Sequence, residues 1–292
     1  MKRKSSLKHT GAFWAFVAPC CILFGIFFLI PLVLSIAFSF TNYDGWKTMD
    51  FVSLTNYITL FKDSKFYTSL GRTLLYTICA LPFRVIIPLL IAVLLCSNRV
   101  IAKSLSRTMV YIPVLMSALV VGITINWMFS QEYGLVNFII QSLGGDPLEW
   151  SLNPMLATFV VAFASVWASI GFNMIIYVGG LNGISPDLYE AARIDGANSV
   201  QAFFRITIPM LSPTTFMVVL LSTVNLLKEY ALVQGITQGG PGLSTTFIIQ
   251  YIFDKGFNQM QYGYASAIST VVMVVFALIA YAQFKINDGG ET

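Results

Sequence analysis

Six long apolar blocks dominate the chain, separated by short polar connections. They run from about Ala12 to Phe40, Leu70 to Cys96, Met109 to Phe129, Met155 to Leu181, Leu211 to Gly235 and Tyr262 to Phe284. A membrane-crossing helix needs roughly 20 apolar residues, and each block supplies that. In lipid the backbone must satisfy its own hydrogen bonds, so a crossing segment is helical or part of a closed barrel. Barrel strands alternate over about 10 residues, whereas these blocks are longer and uniformly apolar. The pattern predicts an all-α integral membrane fold with six transmembrane helices over residues 12–284, flanked by tails at 1–11 and 285–292.

Charge placement orients the blocks. Lys2, Arg3, Lys4 and Lys8 lie in the amino tail, Arg99, Lys103 and Arg107 in the second connection, Arg193 and Arg205 in the fourth, and Lys285 in the last tail. Only Lys47, Lys62, Lys65, Lys228 and Lys255 fall on the other side. The connection from Ser130 to Pro154 has no cation but carries Glu132, Asp146 and Glu149. Cytoplasmic connections are enriched in Lys and Arg, so both termini are expected in the cytoplasm. The first block is nearly twice the 7–15 residues of a secretory apolar region, which argues against a cleaved signal peptide.

Composition agrees with this picture. The chain is 57% apolar and 10% charged, against about 45–50% and about 25% for soluble domains. A soluble enzyme, a disordered tail and a disulfide-rich module are poor fits. A net charge of +4, with cations spread between apolar blocks, gives no basic face for nucleic acid. Cys20, Cys21, Cys79 and Cys96 sit in apolar runs and read as small packing residues, and the single His9 lies in the basic tail, away from any metal spacing. Between the first two blocks, Phe51, Leu54, Tyr57, Ile58, Phe61 and Phe66 recur near helical spacing, which suits an interfacial helix as well as an ordered loop. Pro82 and Pro88 fall inside the second block, where a kink is expected.

The fourth connection carries its own helix signals. Ser185 is a good N-cap, Pro186 suits the first helical position, and Asp187 and Glu190 place acid near the positive helix end. A short helix from Pro186 to about Ile194 follows, which Gly196 can end. A second runs from Ser199 to Arg205, before Pro209 and Pro213 open the fifth block. Small side chains on a cytoplasmic helix suggest a docking surface, with a self-packed loop as the alternative.

Glu190-Ala191-Ala192, Gly196 and Ile206-x-Ile208-Pro209, at these spacings, resemble the EAA loop of bacterial ABC importer permeases, with Ile208 in place of the usual Leu. Asp195-Gly196-Ala197 is similar to the form found in sugar permeases. Phe51-Val52-x-Leu54-x-Asn56-Tyr57, Gly239-Gly240-Pro241 and Gly263-Tyr264-Ala265-Ser266-Ala267 resemble other parts of the carbohydrate permeases. The resemblance implies a type I permease of the maltose-transporter kind in the bacterial cytoplasmic membrane, with a cytoplasmic coupling helix between helices 4 and 5 in the loop 183–209. It further implies a homologous second permease subunit, two cytoplasmic ATP-binding subunits and an extracytoplasmic sugar-binding protein. This chain has no GxxxxGK[ST] loop, so no cofactor is expected on it, and ATP and Mg belong to the partner ATPase subunits. By the same resemblance Glu190, Ala191, Ala192, Asp195, Gly196 and Pro209 would couple to the ATPase.

Charges inside a membrane are costly and usually face a protein interior or an aqueous cavity. Arg84 in the second block, and Lys228 with Glu229 in the fifth, are the candidates. Ser222 and Asn225 lie upstream, and the four-residue spacing of Asn225 and Glu229 predicts one helix face. Trp167, Ser169, Phe172 and Asn173 add an aromatic and polar group in the fourth block. Amide, carboxylate and hydroxyl groups beside an aromatic face suit a sugar, and the resemblance implies sugar contacts in these parts of the fourth and fifth helices. These residues are therefore the expected substrate path for a di- or oligosaccharide. A structural or snorkelling role for the charges, and packing between helices for Trp167 and Phe172, are the alternatives. A polyol or glycerol phosphate is the nearest alternative substrate. An ion-coupled secondary transporter would need discontinuous helices and internal repeats, and no repeat is evident. A membrane enzyme would need a nucleophile and base at one depth.

Overall fold

A computed structural model describes residues 7–46, 49–96 and 102–288. The tail cations Lys2, Arg3 and Lys4, together with Lys47 and Arg99, lie outside the described residues, and so does the side chain of His9. In chain order the helices are α1 (Leu7–Phe24), α2 (Ile30–Phe38), α3 (Thr55–Leu60), α4 (Ser64–Cys96), α5 (Lys103–Tyr111), α6 (Ala118–Met128), α7 (Leu135–Ser142) and α8 (Pro154–Asn182). They continue with α9 (Pro186–Ile194), α10 (Ser199–Ala202), α11 (Ile208–Met210), α12 (Ser212–Leu227), α13 (Ala231–Ile236), α14 (Ile248–Phe253) and α15 (Tyr262–Asp288). Among the described residues the only β pairing is an isolated bridge between Thr41 and Phe51.

Four segments are long and apolar enough to cross a membrane: Phe13–Phe38, Ser64–Cys96, Pro154–Asn182 and Tyr262–Asn287. The third and fifth predicted spans are not single straight helices. Lys103–Leu115 and Ala118–Met128 meet at 98°, and Ser199–Met210 and Ser212–Leu227 at 66°. The first break follows Pro113, where Met116 turns to an extended backbone. The second falls at Leu211, between Pro209 and Pro213, whose missing N–H groups remove helical hydrogen bonds. The count is therefore four crossing helices, or up to six if each bent pair is one span. Pro82 and Pro88, by contrast, sit inside α4 without ending it.

The chain divides into two compact units. The first joins Met1–Ser64 to Ile252–Val275. Here α1 runs through a π-helical turn, Gly25–Leu29, into α2. Phe16, Phe27, Phe28 and Val33 on this stretch are exposed, a surface that only lipid or another protein can cover. The expected interfacial helix over 51–66 is shorter than its pattern suggested. Only Thr55–Leu60 is a separate helix, and Phe66 already belongs to α4. Asn56 explains the shortening, because its Nδ2 donates to the carbonyls of Ser39 and Thr41, both at 2.8 Å, and pins the turn to the end of the first span. Tyr264 donates its hydroxyl to Asp63 at 2.7 Å.

The second unit joins Lys65–Tyr251 to Phe276–Thr292 and holds two apolar cores. One packs Tyr76, Val121, Val161, Leu226, Val233 and Phe247. The other packs Leu89, Ala92, Met174, Tyr177, Leu211 and Val218. Of the cysteines only Cys96 packs against a core, the second one. Cys20, Cys21 and Cys79 are exposed, Cys96 is half-buried, and all four are free thiols. On an apolar helix surface a small side chain faces lipid as readily as it fills a core.

Candidate functional site

The loop between α8 and α12 builds the first candidate surface. Ser185 caps α9, accepting from the Asp187 N–H at 3.3 Å. At the other end Gly196 takes φ +81°, in the left-handed region where glycine is favoured. The Gly196 N–H donates to Arg193 O at 3.1 Å and the Ala197 N–H to Ala192 O at 2.8 Å. That pair of bonds is a Schellman closure, which satisfies carbonyls left open at the helix end. A Cβ at Gly196 would meet nothing within 4 Å. The glycine is thus required by the backbone, not by crowding within the chain.

The next segment is longer than its predicted span of Ser199 to Arg205. Asn198 and Gln201 form a reciprocal capping box, at 2.8 and 2.9 Å, at the start of α10. The helix then widens into a π-turn over Phe203–Thr207 and continues through α11. Pro209 closes it at the 66° bend. On the outer face Glu190, Ala191, Asp195 and Gly196 are exposed, and Ala192 is half-buried. Ile194 is 87% exposed, and Val200 and Phe204 are also uncovered. The inner face is anchored by a residue the sequence pattern did not single out. Tyr189 packs against the second apolar core, and its hydroxyl meets Thr207 Oγ1 at 2.9 Å. An aromatic beside a small-residue motif was the available signal.

The second candidate surface is a buried polar cluster. Arg84 on α4 is 5% exposed. Its Nη2 lies 3.6 Å from Glu229 Oε2 and donates to Ser165 Oγ on α8. Asn173, also on α8, donates through Nδ2 to the Arg84 carbonyl at 2.8 Å and to Ser222 Oγ on α12 at 3.0 Å. Tyr76, about two turns before Arg84 on α4, brings its hydroxyl beside Ser165 without meeting hydrogen-bond geometry. The cluster therefore unites Arg84, Asn173, Ser222 and Glu229 from the sequence reading with Ser165 and Tyr76, which that reading missed. Ser165 lies in an Ala-Ser-Val run that reads as packing, and only tertiary contact reveals it.

The other predicted path residues lie apart from this cluster. Asn225 and Lys228 are exposed, so Asn225 and Glu229 do not share an environment. The reason is local: α12 ends at Leu227, and the Glu229 N–H turns back to Leu226 O at 3.2 Å. The helical four-residue spacing does not apply across that end. Trp167 packs on the first apolar core, Phe172 is exposed, and Ser169 donates to Val166 O at 2.8 Å in its own helix.

A family model described as "Binding-protein-dependent transport system inner membrane component" matches residues 56–289. The lactose transport system permease protein LacF of Rhizobium radiobacter is 32% identical, covering 93% of this chain and 92% of that protein. The multiple sugar-binding transport system permease protein MsmF of Streptococcus mutans is 31% identical over 99% of both chains. The arabinooligosaccharides transport system permease protein AraP of Bacillus subtilis is 32% identical, covering 94% of this chain and 88% of that protein. Among solved structures, a chain of a bacterial ABC transporter that imports the acidic polysaccharide alginate has the same fold. The TM-score is 0.83 at 24% identity, over 97% of this chain and 96% of that one.

Proposed function

The chain belongs to the family of binding-protein-dependent transport system inner membrane components, and from that premise we propose that it is the permease subunit of an ATP-driven importer of di- or oligosaccharides. It is a multi-pass membrane protein of that family. The observation that carries the reading is the pairing of two features in one chain. One is a capped, solvent-facing helix with Glu190 exposed, and the other is a buried polar cluster between membrane helices. The permeases of lactose, multiple-sugar and arabinooligosaccharide systems, each at least 31% identical over nearly the whole chain, support the carbohydrate class.

In this reading each bent pair crosses once, giving six spans with both termini in the cytoplasm. The domain over 12–284 pairs with a homologous second permease subunit. The loop 183–209 docks in a cleft of one of two cytoplasmic ATP-binding subunits, which drive the pair and hold ATP and Mg, and this chain holds no cofactor. Glu190 offers a carboxylate to a basic group, a charge-assisted contact. Ala191, Ala192, Asp195, Gly196 and Pro209 shape the surface around it. An extracytoplasmic binding protein delivers the sugar. Asn173, Ser222 and Glu229 line or support its path, with Trp167, Ser169, Phe172, Asn225 and Lys228 around them. Hydroxyl, amide and carboxylate groups buried together suit a neutral, hydroxyl-rich solute.

The test is affinity purification of the tagged chain from its native membrane, followed by a screen of the co-purifying or neighbouring solute-binding protein against lactose, arabinooligosaccharides and glycerol phosphate. Recovery of an ATP-binding subunit and a homologous permease, with sugar binding below about 10 μM, is the expected result. A binding protein that takes only glycerol phosphate would move the substrate class.

A further inference from the structure

The fifth apolar block is broken a second time, at its far end. After α12 ends at Leu227, Lys228 (φ −98°, ψ 11°) and Tyr230 (φ −141°, ψ −61°) leave the helical region before α13 begins. Irregular backbone at membrane depth is tolerated where protein or an aqueous cavity surrounds it. Both helices that flank the break pack on α8, and α13 in addition lies along α6. Ser222 of α12 accepts from Asn173 of α8, which also holds the Arg84 carbonyl. On the other side, α13 is pressed backbone to backbone against α6, so that a Cβ at Gly235 would lie 2.9 Å from the Gly122 Cα. The link 228–230 thus joins an α12 held on α8 to an α13 that lies chiefly against α6 and also touches α8.

Glu229 sits in that joint; its carboxylate lies 3.6 Å from Arg84 on α4 and also faces the Tyr230 and Leu232 N–H groups at the start of α13. A buried ion pair contributes little net stability compared with well-packed apolar side chains, because desolvation offsets the attraction. This one is also incompletely satisfied, since Arg84 Nε is buried without a hydrogen-bond partner. An interior built for stability alone would place apolar groups here. We infer that Arg84 is a positioning residue, which pins the 228–230 link through Glu229 and so sets how readily α13 moves relative to α12. Its consequence for transport rests on the reading of this cluster as part of the sugar path.

The experiment uses the full chain in native membranes with Cys20, Cys21, Cys79 and Cys96 replaced by Ala. One reporter is Val233→Cys in α13 and the control is Val161→Cys in α8, both fully buried positions. N-ethylmaleimide labelling reads how often each segment opens. Arg84→Gln should raise labelling at 233 about tenfold, the change expected for ~1.4 kcal/mol, and leave 161 unchanged. Arg84→Lys, which keeps the charge, should lie between wild type and Arg84→Gln. Exchange of the pair, Arg84→Glu with Glu229→Arg, should return the rate to within about twofold. Unchanged labelling at 233, or an equal rise at 161 and 233, overturns the assignment, the latter because it reports general loosening. Uptake of the sugar selected by the screen above separates this from the path reading. A rise at 233 with unaltered uptake keeps the pin and removes the cluster from the path. Reduced uptake with unaltered labelling does the reverse.

Discussion

Gly122 and Gly235 face each other across α6 and α13, so closely that a Cβ on either would lie 2.9 Å from the other's Cα. A Cβ at Gly122 would also reach 2.6 Å from the Leu232 carbonyl oxygen, which is backbone and cannot swing aside. Small residues let membrane helices approach in this way. Gly122→Val and Gly235→Val should each cost ~1–3 kcal/mol through overpacking. Gly71 is a built-in control: it lies within α4 and a Cβ there meets nothing within 4 Å. Gly71→Ala should be neutral or stabilising by up to ~1 kcal/mol. Thermal unfolding of the detergent-solubilised protein ranks the three variants, and equal midpoints would refute the close contact.

Gly196 leads to a different expectation, because its constraint is the backbone angle. Gly196→Asn should be tolerated better than Gly196→Val, since Asn visits the left-handed region and a β-branched residue rarely does. The cost for Val is ~1–2 kcal/mol, concentrated at the end of α9. Hydrogen exchange of the Gly196 and Ala197 amides, both bonded in the Schellman closure, reads this directly. Equal protection in the two variants would show that the closure does not depend on the left-handed residue.

Asn173 holds two acceptors from different helices, Arg84 O and Ser222 Oγ. Asn173→Leu leaves both buried acceptors without that donor, at ~1–3 kcal/mol. Ser222→Ala removes one of the two and should cost less. Denaturation in mixed micelles orders the variants, and a Ser222→Ala loss equal to that of Asn173→Leu would mean that the Arg84 carbonyl contact contributes nothing.

Much of this architecture was legible in the chain. The apolar blocks marked where crossing helices lie, and Ser185, Pro186 and Gly196 marked α9 to the residue, because caps act locally and their chemistry is short-ranged. The breaks were harder to see. Pro209 and Pro213 end a helix at Leu211, yet Pro82 and Pro88 do not end α4, so a proline's effect depends on whether neighbours donate to the freed carbonyls, as Asn173 does to Arg84 O four residues before Pro88. The end of α12 at Leu227 carries no proline or glycine at all, and the expected pairing of Asn225 with Glu229 failed there. The Arg84–Glu229 pair joins residues far apart in sequence, and one sequence without its relatives holds no trace of such a contact. The two bent pairs supply the discontinuous helices that a secondary transporter would need, so that feature does not separate the two classes. The family match decides that question.

The proposed orientation places α7 outside and α9 in the cytoplasm. Leu143, just after α7, is 84% exposed, as is Ile194 at 87%. In a cysteine-free background, Leu143→Cys should react with an impermeant maleimide in intact cells, and Ile194→Cys only after permeabilisation. The opposite pattern would invert the topology.

Glu190 is exposed on α9 beside Ala191. Glu190→Lys reverses the charge of an exposed side chain, the one proposed to meet the ATP-binding subunit. Pull-down should recover the chain and its homologous permease partner with about tenfold less ATPase, the loss expected for ~1.4 kcal/mol. Undiminished recovery with full sugar stimulation of hydrolysis would make α9 a passive connector.

The most direct measurement is solute uptake into proteoliposomes that contain this chain with its co-purified partners, with the loaded binding protein outside and ATP inside. The account predicts accumulation of a di- or oligosaccharide that requires both ATP and the binding protein and is unaffected when proton and sodium gradients are collapsed. Uptake that persists without ATP and follows an imposed ion gradient would contradict it.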